Sequence, residues 1–538
     1  MRIAIVGTGP TGIYTLKNLL GKNAQGYHPQ DRGSLVDVTL YEQGDRVGVG
    51  MPYSPETASR TMLANIASIE IPHVTSSYYD WMLLQSDAYL RSYQLDPRAV
   101  DQRTFTPRLM LGDYFHDQVV ELIEAARAMG HRITVHENCR VTDLATEGDQ
   151  IRLTAAQPQA AGLFDRVILA TGHIFEEDKD LTDHYFPNPW SGLIDADVPA
   201  AKVGIMGTSL SAIDAAMAVA TQHGSFHQDG DELRFDLNAE AQDKLMLVLM
   251  SWSGILPEAD FYCPLPYRPL KVMTETALQE ATQGPDPFEA VFKLFKAEII
   301  AADPAWAKRI NLAKLSAEGF EKAYFHDRAV HDTFGWARHN LAEVIANHEA
   351  KKTVEWRYAI LRMHESVEEI VSEFDEAQRN RFDKTLKKVF VDNYAAVPPE
   401  SIRRLLALRD AGVLGVLSLG DDYEMEHGPD RTVILANGRK HIFDVFIDAR
   451  GQRPMESKDL PFPTLRDALL KAGQQEPQIG EDYGLMDLPG YEDRVYLAAL
   501  PYLMQDKPFV QGITASAEIG AEIARAEARK RPRRRRAA

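Results

Sequence analysis

Cysteine is almost absent from this chain, whose 538 residues include only Cys139 and Cys263. Two cysteines so far apart cannot build a disulfide framework or a C-x-x-C redox pair. The chain also lacks an apolar run of about eighteen residues, the length that a membrane-spanning helix requires. Its N-terminus begins directly with the short apolar run 3–6 and has neither the h-region nor the cleavage site of a signal peptide. These absences predict a cytoplasmic protein without a membrane span.

Acidic residues outnumber basic ones, 78 to 59, and the C-terminus is the exception. The net charge is −19, yet Arg529, Lys530 and five arginines within 531–536 form a basic end. The remainder of the chain is therefore even more acidic than the total, which argues against a nucleic-acid enzyme. We predict that residues 526–538 form a disordered basic tail. Metal-binding histidine motifs are also missing, because His326, His331 and His364 lack H-E-x-x-H spacing, so we predict no metal site.

The first forty residues have the pattern of a βαβ unit. A buried strand is predicted over Ile3–Val6, a helix over Ile13–Leu20 and a second strand over Val36–Tyr41. Between the first strand and the helix lies Gly7-Thr8-Gly9-Pro10-Thr11-Gly12, a G-x-G-x-x-G motif. Its glycines permit a tight turn, close approach of a pyrophosphate and close helix packing, while the helix amides face the anion. Glu42, at the end of the second strand, is placed to accept hydrogen bonds from the adenosine ribose. The unit predicts dinucleotide binding.

A second strand–turn–helix pattern occurs at residues 203–214, with the sequence VGIMGTSLSAID. Three interpretations are open. Gly207-Thr208-Ser209 resembles a nucleophile elbow, although Ser211 stands where the elbow has its second glycine. The turn is also compatible with a plain βα connection that binds no ligand. The third interpretation is a second dinucleotide site, which is favoured by the strand–ATG and strand–ARG segments on either side.

The order of these patterns predicts an α/β protein with two nested Rossmann-type dinucleotide-binding domains, a small antiparallel meander and a large helical insertion. Alternating residues place the meander over Arg132–Leu153, and helical periodicity extends over 286–414. The predicted units are an FAD-binding domain in two parts (1–178 and 421–525), an NAD(P)-binding domain (200–275), a helical insertion that contacts substrate or partner (276–420) and the tail (526–538).

Several segments resemble one known family. They are GTGPTGIYTL, GVGMPYS, MLANIASIEIP, IMGTSLSAIDAAMA, GILPEADFYCP, FVDNYAAVPPESIRRLLALRDAG and FVQGITASAEIG. The chain resembles the uncharacterised bacterial FAD-NAD(P)-binding proteins of the YdhS type, within the flavoproteins that have two dinucleotide-binding domains. More distantly it is similar to flavin-dependent N-hydroxylating monooxygenases. The resemblance implies FAD and NAD(P)H as cofactors.

The resemblance also implies a set of cofactor-binding residues. For FAD these are Gly7, Gly9, Pro10, Thr11, Gly12, Glu42, Gln43, Asn65, Arg108, Val141, Ala170, Thr171, Gly172, Gln511 and Gly512, with Tyr114 beside them. Tyr114 and Val141 are equally compatible with a core role. For NAD(P) they are Gly207, Thr208, Ser209 and Ser211. Because the next strand is followed by Ser251-Trp252-Ser253 and no arginine stands nearby, the choice between NADH and NADPH stays open.

The flavin supplies the redox chemistry, so few acid–base residues are expected and no catalytic residue is assigned. Substrate contacts are expected in the helical insertion, at Arg357, His364, Asn393 and Tyr394, each of which has a structural role as the alternative. The expected function is an FAD-dependent oxidoreductase that NAD(P)H reduces, a monooxygenase or hydroxylase of a small polar metabolite. The alternative is a flavin-binding redox sensor or interaction protein without turnover. Substrate and oligomeric state are not predicted.

Overall fold

The computed structural model describes residues 1–21, 35–173, 181–190, 192–505, 507, 509–510 and 512–530. The strands are β1 (Arg2–Val6), β2 (Asp37–Tyr41), β3 (Arg132–His136), β4 (Val141–Glu147), β5 (Gln150–Ala155), β6 (Gly162–Phe164), β7 (Arg166–Leu169), β8 (Tyr185–Phe186), β9 (Lys202–Met206), β10 (Gly224–Asp229), β11 (Glu232–Leu237), β12 (Met246–Ser251), β13 (Leu414–Ser418), β14 (Tyr423–His427), β15 (Thr432–Ala436), β16 (Arg439–Phe443), β17 (Val445–Asp448) and β18 (Val495–Leu497). The helices are α1 (Pro10–Leu19), α2 (Tyr78–Leu83), α3 (Asp87–Ser92), α4 (Arg108–Ala128), α5 (Leu210–His223), α6 (Glu275–Thr282), α7 (Pro287–Ala302), α8 (Pro304–Arg309), α9 (Ala317–Val330), α10 (Thr333–Glu349), α11 (Glu355–Glu368), α12 (Glu376–Lys384), α13 (Leu386–Tyr394), α14 (Pro399–Asp410), α15 (Pro463–Lys471) and α16 (Gly512–Lys530).

The first parallel sheet has the order β18-β7-β1-β2-β3. Its central strand is apolar because both faces are covered, as parallel sheets require. Helices α1, α4 and α16 cover one face, and the antiparallel sheet β4-β5-β6 covers the other. α16 lies so close to α1 that a Cβ at Gly520 would be 2.6 Å from the Thr15 nitrogen. The C-terminal helix is thereby fixed beside the first glycine turn.

The second parallel sheet has the order β13-β12-β9-β17-β8 and is assembled from distant parts of the chain. β9 pairs with β12 on one side and with β17 on the other. Helices α5, α10 and α14 contribute to the core on one face of this sheet, and the antiparallel sheet β14-β15-β16 contributes to the core on the other. The α/β class with two parallel Rossmann-like sheets is therefore confirmed.

Helices α6 to α13 form the helical insertion, and all of them except α10 contribute to an aromatic core that includes Phe288, Phe295 and Phe320. Helix α7 shows why these segments become helices at the expected places. The Asp286 side chain caps its N-terminus by accepting from the Glu289 nitrogen at 3.1 Å, and Pro287 occupies the first turn. The insertion also contacts the C-terminal part of the chain, because Phe509 belongs to its core.

Four predicted boundaries are wrong. Residues 423–448, predicted to return to the FAD-binding domain, belong to the second sheet, because β17 pairs with β9 and β14–β16 pack on that sheet. Residues 132–136 do not belong to the antiparallel meander, because β3 pairs in parallel with β2 and extends the first sheet. The segment 414–418, placed in the helical insertion, is strand β13 and pairs with β12. α16 continues to Lys530, within the predicted tail, because Lys530 Nζ contacts Asp493 at 2.8 Å. The rest of the tail, 531–538, lies outside the described residues.

Within the described ranges, no helix combines the length and the apolar character that crossing a membrane would need.

Candidate cofactor and substrate site

The first glycine turn leaves no room for side chains. Gly7 has φ +93°, and a Cβ there would lie 2.2 Å from the carbonyl oxygen of Ala170. A Cβ at Gly12 would lie 2.2 Å from the Gly7 oxygen, and one at Gly9 would lie 3.1 Å from Gly50 Cα. No side chain caps α1, whose N-terminal amides are therefore available to an anion. This cradle fits the pyrophosphate of a dinucleotide such as FAD.

Glu42 is held beside this turn. Its Oε2 accepts hydrogen bonds from the Thr8 nitrogen at 3.2 Å and from Thr8 Oγ1, and its Oε1 accepts from the Gly44 nitrogen at 2.9 Å. Carboxylate oxygens have several acceptor positions, so a ribose hydroxyl can still be bound. Gln43 next to it is exposed, whereas Val141 is buried at the start of β4. The Cys139 nitrogen, two residues before Val141, donates to the Glu42 oxygen at 2.8 Å, which places these segments together.

The chain crosses between the two sheets after β7 and after β17, and side chains of these two crossover segments are in contact. Ala170, Thr171 and Gly172 follow β7, and Gly172 has φ +67°. The next residue, His173, is hydrogen-bonded to the Gln452 side chain from the crossover after β17, and burial lowers the pKa of its imidazole. This contact was not predicted from the sequence, although the matching ATGH and ARGQ segments were the available signal.

Arg108 links the units built around the two sheets. As the first residue of α4, it places Nη2 2.8 Å from Oδ2 of Asp214 in α5. Both side chains are buried, at 14% and 7% exposed, and the guanidinium lies 5.7 Å from the Trp190 ring centroid. Burial raises the pKa of Asp214, although Arg108 opposes the shift. Asp214 was also missed; a single acid within the apolar helix segment AIDAAMAVA was the available signal.

Two predicted residues near Arg108 differ in their surroundings. Asn65 is half-buried and follows the segment that bridges to Pro107, so it lies close to the start of α4. Tyr114 is fully buried and donates to the Ser76 oxygen at 2.8 Å, within an aromatic cluster. Of its two interpretations, the structure supports the core role.

The C-terminal residues return to the same place. Thr11 donates to Ser516 Oγ at 3.0 Å, so the first turns of α1 and α16 are in contact. Gly512, at the start of α16, has φ +75° and open space around its Cα. Gln511 lies outside the described residues.

The backbone of the second glycine turn follows the same path as that of the first, but neighbouring atoms lie further from it. Gly207 has φ +127°, and a Cβ there would lie 3.0 Å from the carbonyl oxygen of Ala449. Ser209 is exposed at the N-terminus of α5 and does not cap it. Thr208 Oγ1 lies 3.4 Å from Ser251 Oγ, and Ser211 is half-buried in the first turn of the helix.

A cavity of about 520 Å³ opens in front of this second turn. The turn, the loop after β12 and the helical insertion all contribute to its wall. Its lining residues are Thr208, Ser209, Ser251, Trp252, Ser253, Ile255, Leu256, Pro257, Phe325, Asp383, Lys387, Lys388, Val391, Asp392 and Ala395. Because these described residues include no histidine that could activate Ser209, the nucleophile-elbow interpretation loses support.

Among the four substrate candidates, Arg357 is separate from the others. It forms a buried ion pair with Glu258, which also accepts from Trp336 Nε1 at 3.0 Å. Burial acts to raise the pKa of Glu258, but Arg357 and Arg328 outweigh it and the net shift is downward. Removing one member of such a pair leaves an uncompensated buried charge, so we assign Arg357 a structural role.

Of the other three candidates, His364 and Tyr394 lie near the C-terminal segment. The His364 ring stacks on Tyr394 with centroids 5.2 Å apart, and both rings contact Phe509, at 5.9 and 5.8 Å. Asn393 is buried next to Tyr394 at the end of α13. Glu368 accepts from the Phe509 nitrogen at 3.0 Å, and burial raises its pKa to about 7. This aromatic and polar cluster adjoins the start of α16.

Two parallel nucleotide-binding sheets, joined by paired crossovers and each with a glycine turn, define the fold of the flavoprotein oxidoreductases that have two dinucleotide-binding domains. Residues 4–174 match the family described as FAD-NAD(P)-binding, and residues 274–394 match the YdhS-like middle domain. These matches confirm FAD and NAD(P) as the cofactors. The uncharacterized protein YdhS of Escherichia coli (strain K12) is 49% identical over 527 residues, 98% of this chain and 97% of that protein. The chain belongs to the YdhS family.

A solved structure confirms the fold. Ornithine hydroxylase (PvdA) from Pseudomonas aeruginosa is similar with a TM-score of 0.52 at 12% identity, with 98% of each chain covered. The Kutzneria sp. 744 ornithine N-hydroxylase KtzI has a TM-score of 0.49 at 13% identity, over 98% of this chain and 99% of that one.

Proposed function

We propose that this protein is an FAD-dependent oxidoreductase that NAD(P)H reduces, and that it belongs to the monooxygenases that hydroxylate a small polar metabolite. The observation that carries the proposal is the pairing of the two glycine turns. Each turn is closed by a crossover carbonyl, that of Ala170 at Gly7 and that of Ala449 at Gly207, and the crossovers are linked through His173 and Gln452. The two nucleotide sites therefore converge on one place between the sheets.

We assign FAD to the first sheet, whose strands come from residues 2–169 and 495–497 and against which α1 and α16 pack. The amides of α1 bind the pyrophosphate, and Glu42 binds the adenosine ribose. Asn65 and Gly512 lie on the side from which the flavin ring is reached. The chemistry that bound FAD supplies is acceptance of a hydride from a nicotinamide and transfer of the electrons to an acceptor.

We assign NAD(P)H to residues 200–275 and to the cavity in front of Gly207. The amides at the start of α5 face the nucleotide phosphates, and the exposed Ser209 hydroxyl donates a hydrogen bond in place of a close glycine amide. The 520 Å³ volume is in the range of small-molecule and cofactor sites.

We assign the substrate to the cluster of His364, Asn393 and Tyr394. Its rings contact Phe509, three residues before α16 begins, so a ligand there lies next to the FAD-binding part of the chain. A half-buried histidine and phenol beside a buried amide present hydrogen-bonding groups within an aromatic wall, which suits a small polar molecule.

The test is anaerobic reduction of the purified holoprotein by NADPH and by NADH, followed by admission of oxygen with and without a metabolite extract. We expect a yellow protein that bleaches on reduction and that consumes NAD(P)H faster with one fraction of the extract. A bound flavin that neither nicotinamide reduces would contradict the proposal and would favour the sensor or interaction protein.

A further inference from the structure

The loop after β12 has no acidic residue at the place where one would bind an unmodified ribose. In a Rossmann domain the strand after the glycine turn and its helix ends beside the adenosine ribose, where a carboxylate selects NAD(H) and a basic residue accommodates the 2′-phosphate of NADP(H). Here β12 ends at Ser251 and is followed by Trp252 and Ser253. Ser251 lies next to Thr208, at the second turn, as the rule requires.

The helical insertion brings cations to this loop. Lys388 Nζ lies 4.9 Å from the centroid of the Trp252 ring, and Lys387 and Lys388 both line the cavity. Trp252 is 52% exposed, so the ring and the amine above it are open to the cavity. These lysines follow Trp252 by more than a hundred residues in the sequence. For that reason the sequence alone did not predict a basic residue beside this loop.

The acidic residues of the same wall already have partners. Asp392 is paired with Arg328 and accepts from Tyr324 Oη at 2.8 Å, and Asp383 is paired with Lys387 at 2.9 Å. Among the residues that the structure describes, the ion-pair partner of Lys388 is Glu321, at a distance of 3.9 Å. Of the two cavity lysines, Lys388 therefore has the ammonium with more capacity to bind an incoming anion.

We infer that Lys388, with Lys387 beside it and the hydroxyls of Ser251 and Ser253 below, forms the 2′-phosphate site of the nicotinamide cofactor, so that the protein selects NADPH. This inference rests on the proposed nicotinamide role of the second turn. It gives the YdhS-like middle domain a defined task, because the domain supplies the cation that the Ser251-Trp252-Ser253 segment lacks.

The direct test is calorimetric binding of two adenosine probes to the holoprotein, 2′,5′-ADP and 5′-AMP, which differ in the 2′-phosphate. We expect 2′,5′-ADP to bind more tightly and its affinity to fall as salt is raised. Lys388→Ala should weaken 2′,5′-ADP about ten- to a hundredfold and leave 5′-AMP unchanged, because one charge-assisted contact is lost. Lys388→Glu should weaken it further.

Lys384→Ala is the matched control, because Lys384 is exposed at the end of α12 and does not line the cavity. FAD content and the unfolding midpoint should be the same in all variants, since Lys388 is a surface residue. Equal affinity of the wild-type protein for the two probes would overturn the inference, as would equal loss of both probes in Lys388→Ala.

Flavin reduction separates this inference from the proposed function. If both nicotinamides reduce the flavin equally well and the probes do not differ, the oxidoreductase proposal stands and the phosphate site is wrong. If the probes differ through Lys388 but neither nicotinamide reduces the flavin, the phosphate site stands and the proposed function is wrong.

Discussion

The two glycine turns follow the same path, but they differ in how closely the chain surrounds them. At the first turn, a Cβ on Gly7 or on Gly12 would lie 2.2 Å from a carbonyl oxygen. At the second, a Cβ on Gly207 would lie 3.0 Å from one, and Ala212 replaces the third glycine. The middle position of the first turn is Gly9, which faces Gly50. The middle position of the second turn is Ser209, which is exposed. We call the first, closely surrounded turn the closed turn and the second the open turn. We expect the closed turn to retain its dinucleotide and the open turn to exchange one in each catalytic cycle.

The largest expected effect comes from filling the closed turn. Gly9→Val should release FAD almost completely, because the side chain would occupy the space of the pyrophosphate. The ratio of flavin absorbance to protein, measured after purification, gives the result. Gly284→Val is the control, because its nearest contact would be an ordinary 3.5 Å from the Ala281 oxygen. Full flavin occupancy in Gly9→Val would refute the assignment of the first turn.

Replacing the first glycine of the open turn by valine should distinguish the two cofactor sites. Gly207→Val should abolish reduction of the flavin by NAD(P)H while FAD stays bound, because φ +127° disfavours any side chain and the first turn belongs to the other sheet. Anaerobic stopped-flow reduction at limiting NAD(P)H measures the rate, and flavin absorbance confirms that the variant is folded. A normal rate would contradict the nicotinamide assignment.

Breaking the link between the two sheets should cost stability. Arg108→Met leaves the Asp214 carboxylate buried without its cation, which we expect to lower the free energy of unfolding by about 3–5 kcal/mol. Denaturant titration of the holoprotein measures the change. Arg46→Met is the control, since its ion pair with Asp113 is 40% exposed on the arginine side and should be worth less than about 1 kcal/mol. Equal losses in the two variants would show that the buried pair has no special role.

The smallest effect is expected at the middle position of the open turn. Ser209→Ala should raise the KM for NAD(P)H about tenfold to a hundredfold, the equivalent of ~1.5–3 kcal/mol for a hydrogen bond to a charged phosphate. Steady-state kinetics measure it, with Ser225→Ala, an exposed serine on β10, as the control. An esterase activity that disappears in Ser209→Ala, with flavin reduction unchanged, would restore the nucleophile-elbow interpretation.

Local patterns were sufficient to predict the units that these turns belong to. The apolar run at Ile3–Val6, the glycine motif and the run ending at Tyr41 became β1, α1 and β2 within a few residues. β3 and β13 were misplaced for one physical reason. A strand's alternation or apolar run predicts that it is a strand, but its partner is fixed by packing between distant segments.

The candidate site was predictable where one segment defines it and unpredictable where several do. Gly7, Gly12 and Gly207 could be named because a tight turn is a local property. Lys388 could not be assigned to the nucleotide, because its place beside Trp252 depends on how the helical insertion packs. His364 and Tyr394 were named as separate candidates, and their stacking on one another follows from the packing of α11 against α13.

The strand order of the second sheet has a consequence for how the protein folds during its synthesis. β9 and β12 are complete by Ser251, but their neighbours β17 and β13 are not made until the ribosome has passed the whole helical insertion. Contacts of such high sequence separation carry a loop-closure cost and slow the folding of a domain. Until then, both outer sides of the β9–β12 pair have unpaired backbone groups that can associate with other chains. We therefore expect truncated chains that end before Leu414 to aggregate, and the full chain to fold as one unit only after its synthesis is nearly complete.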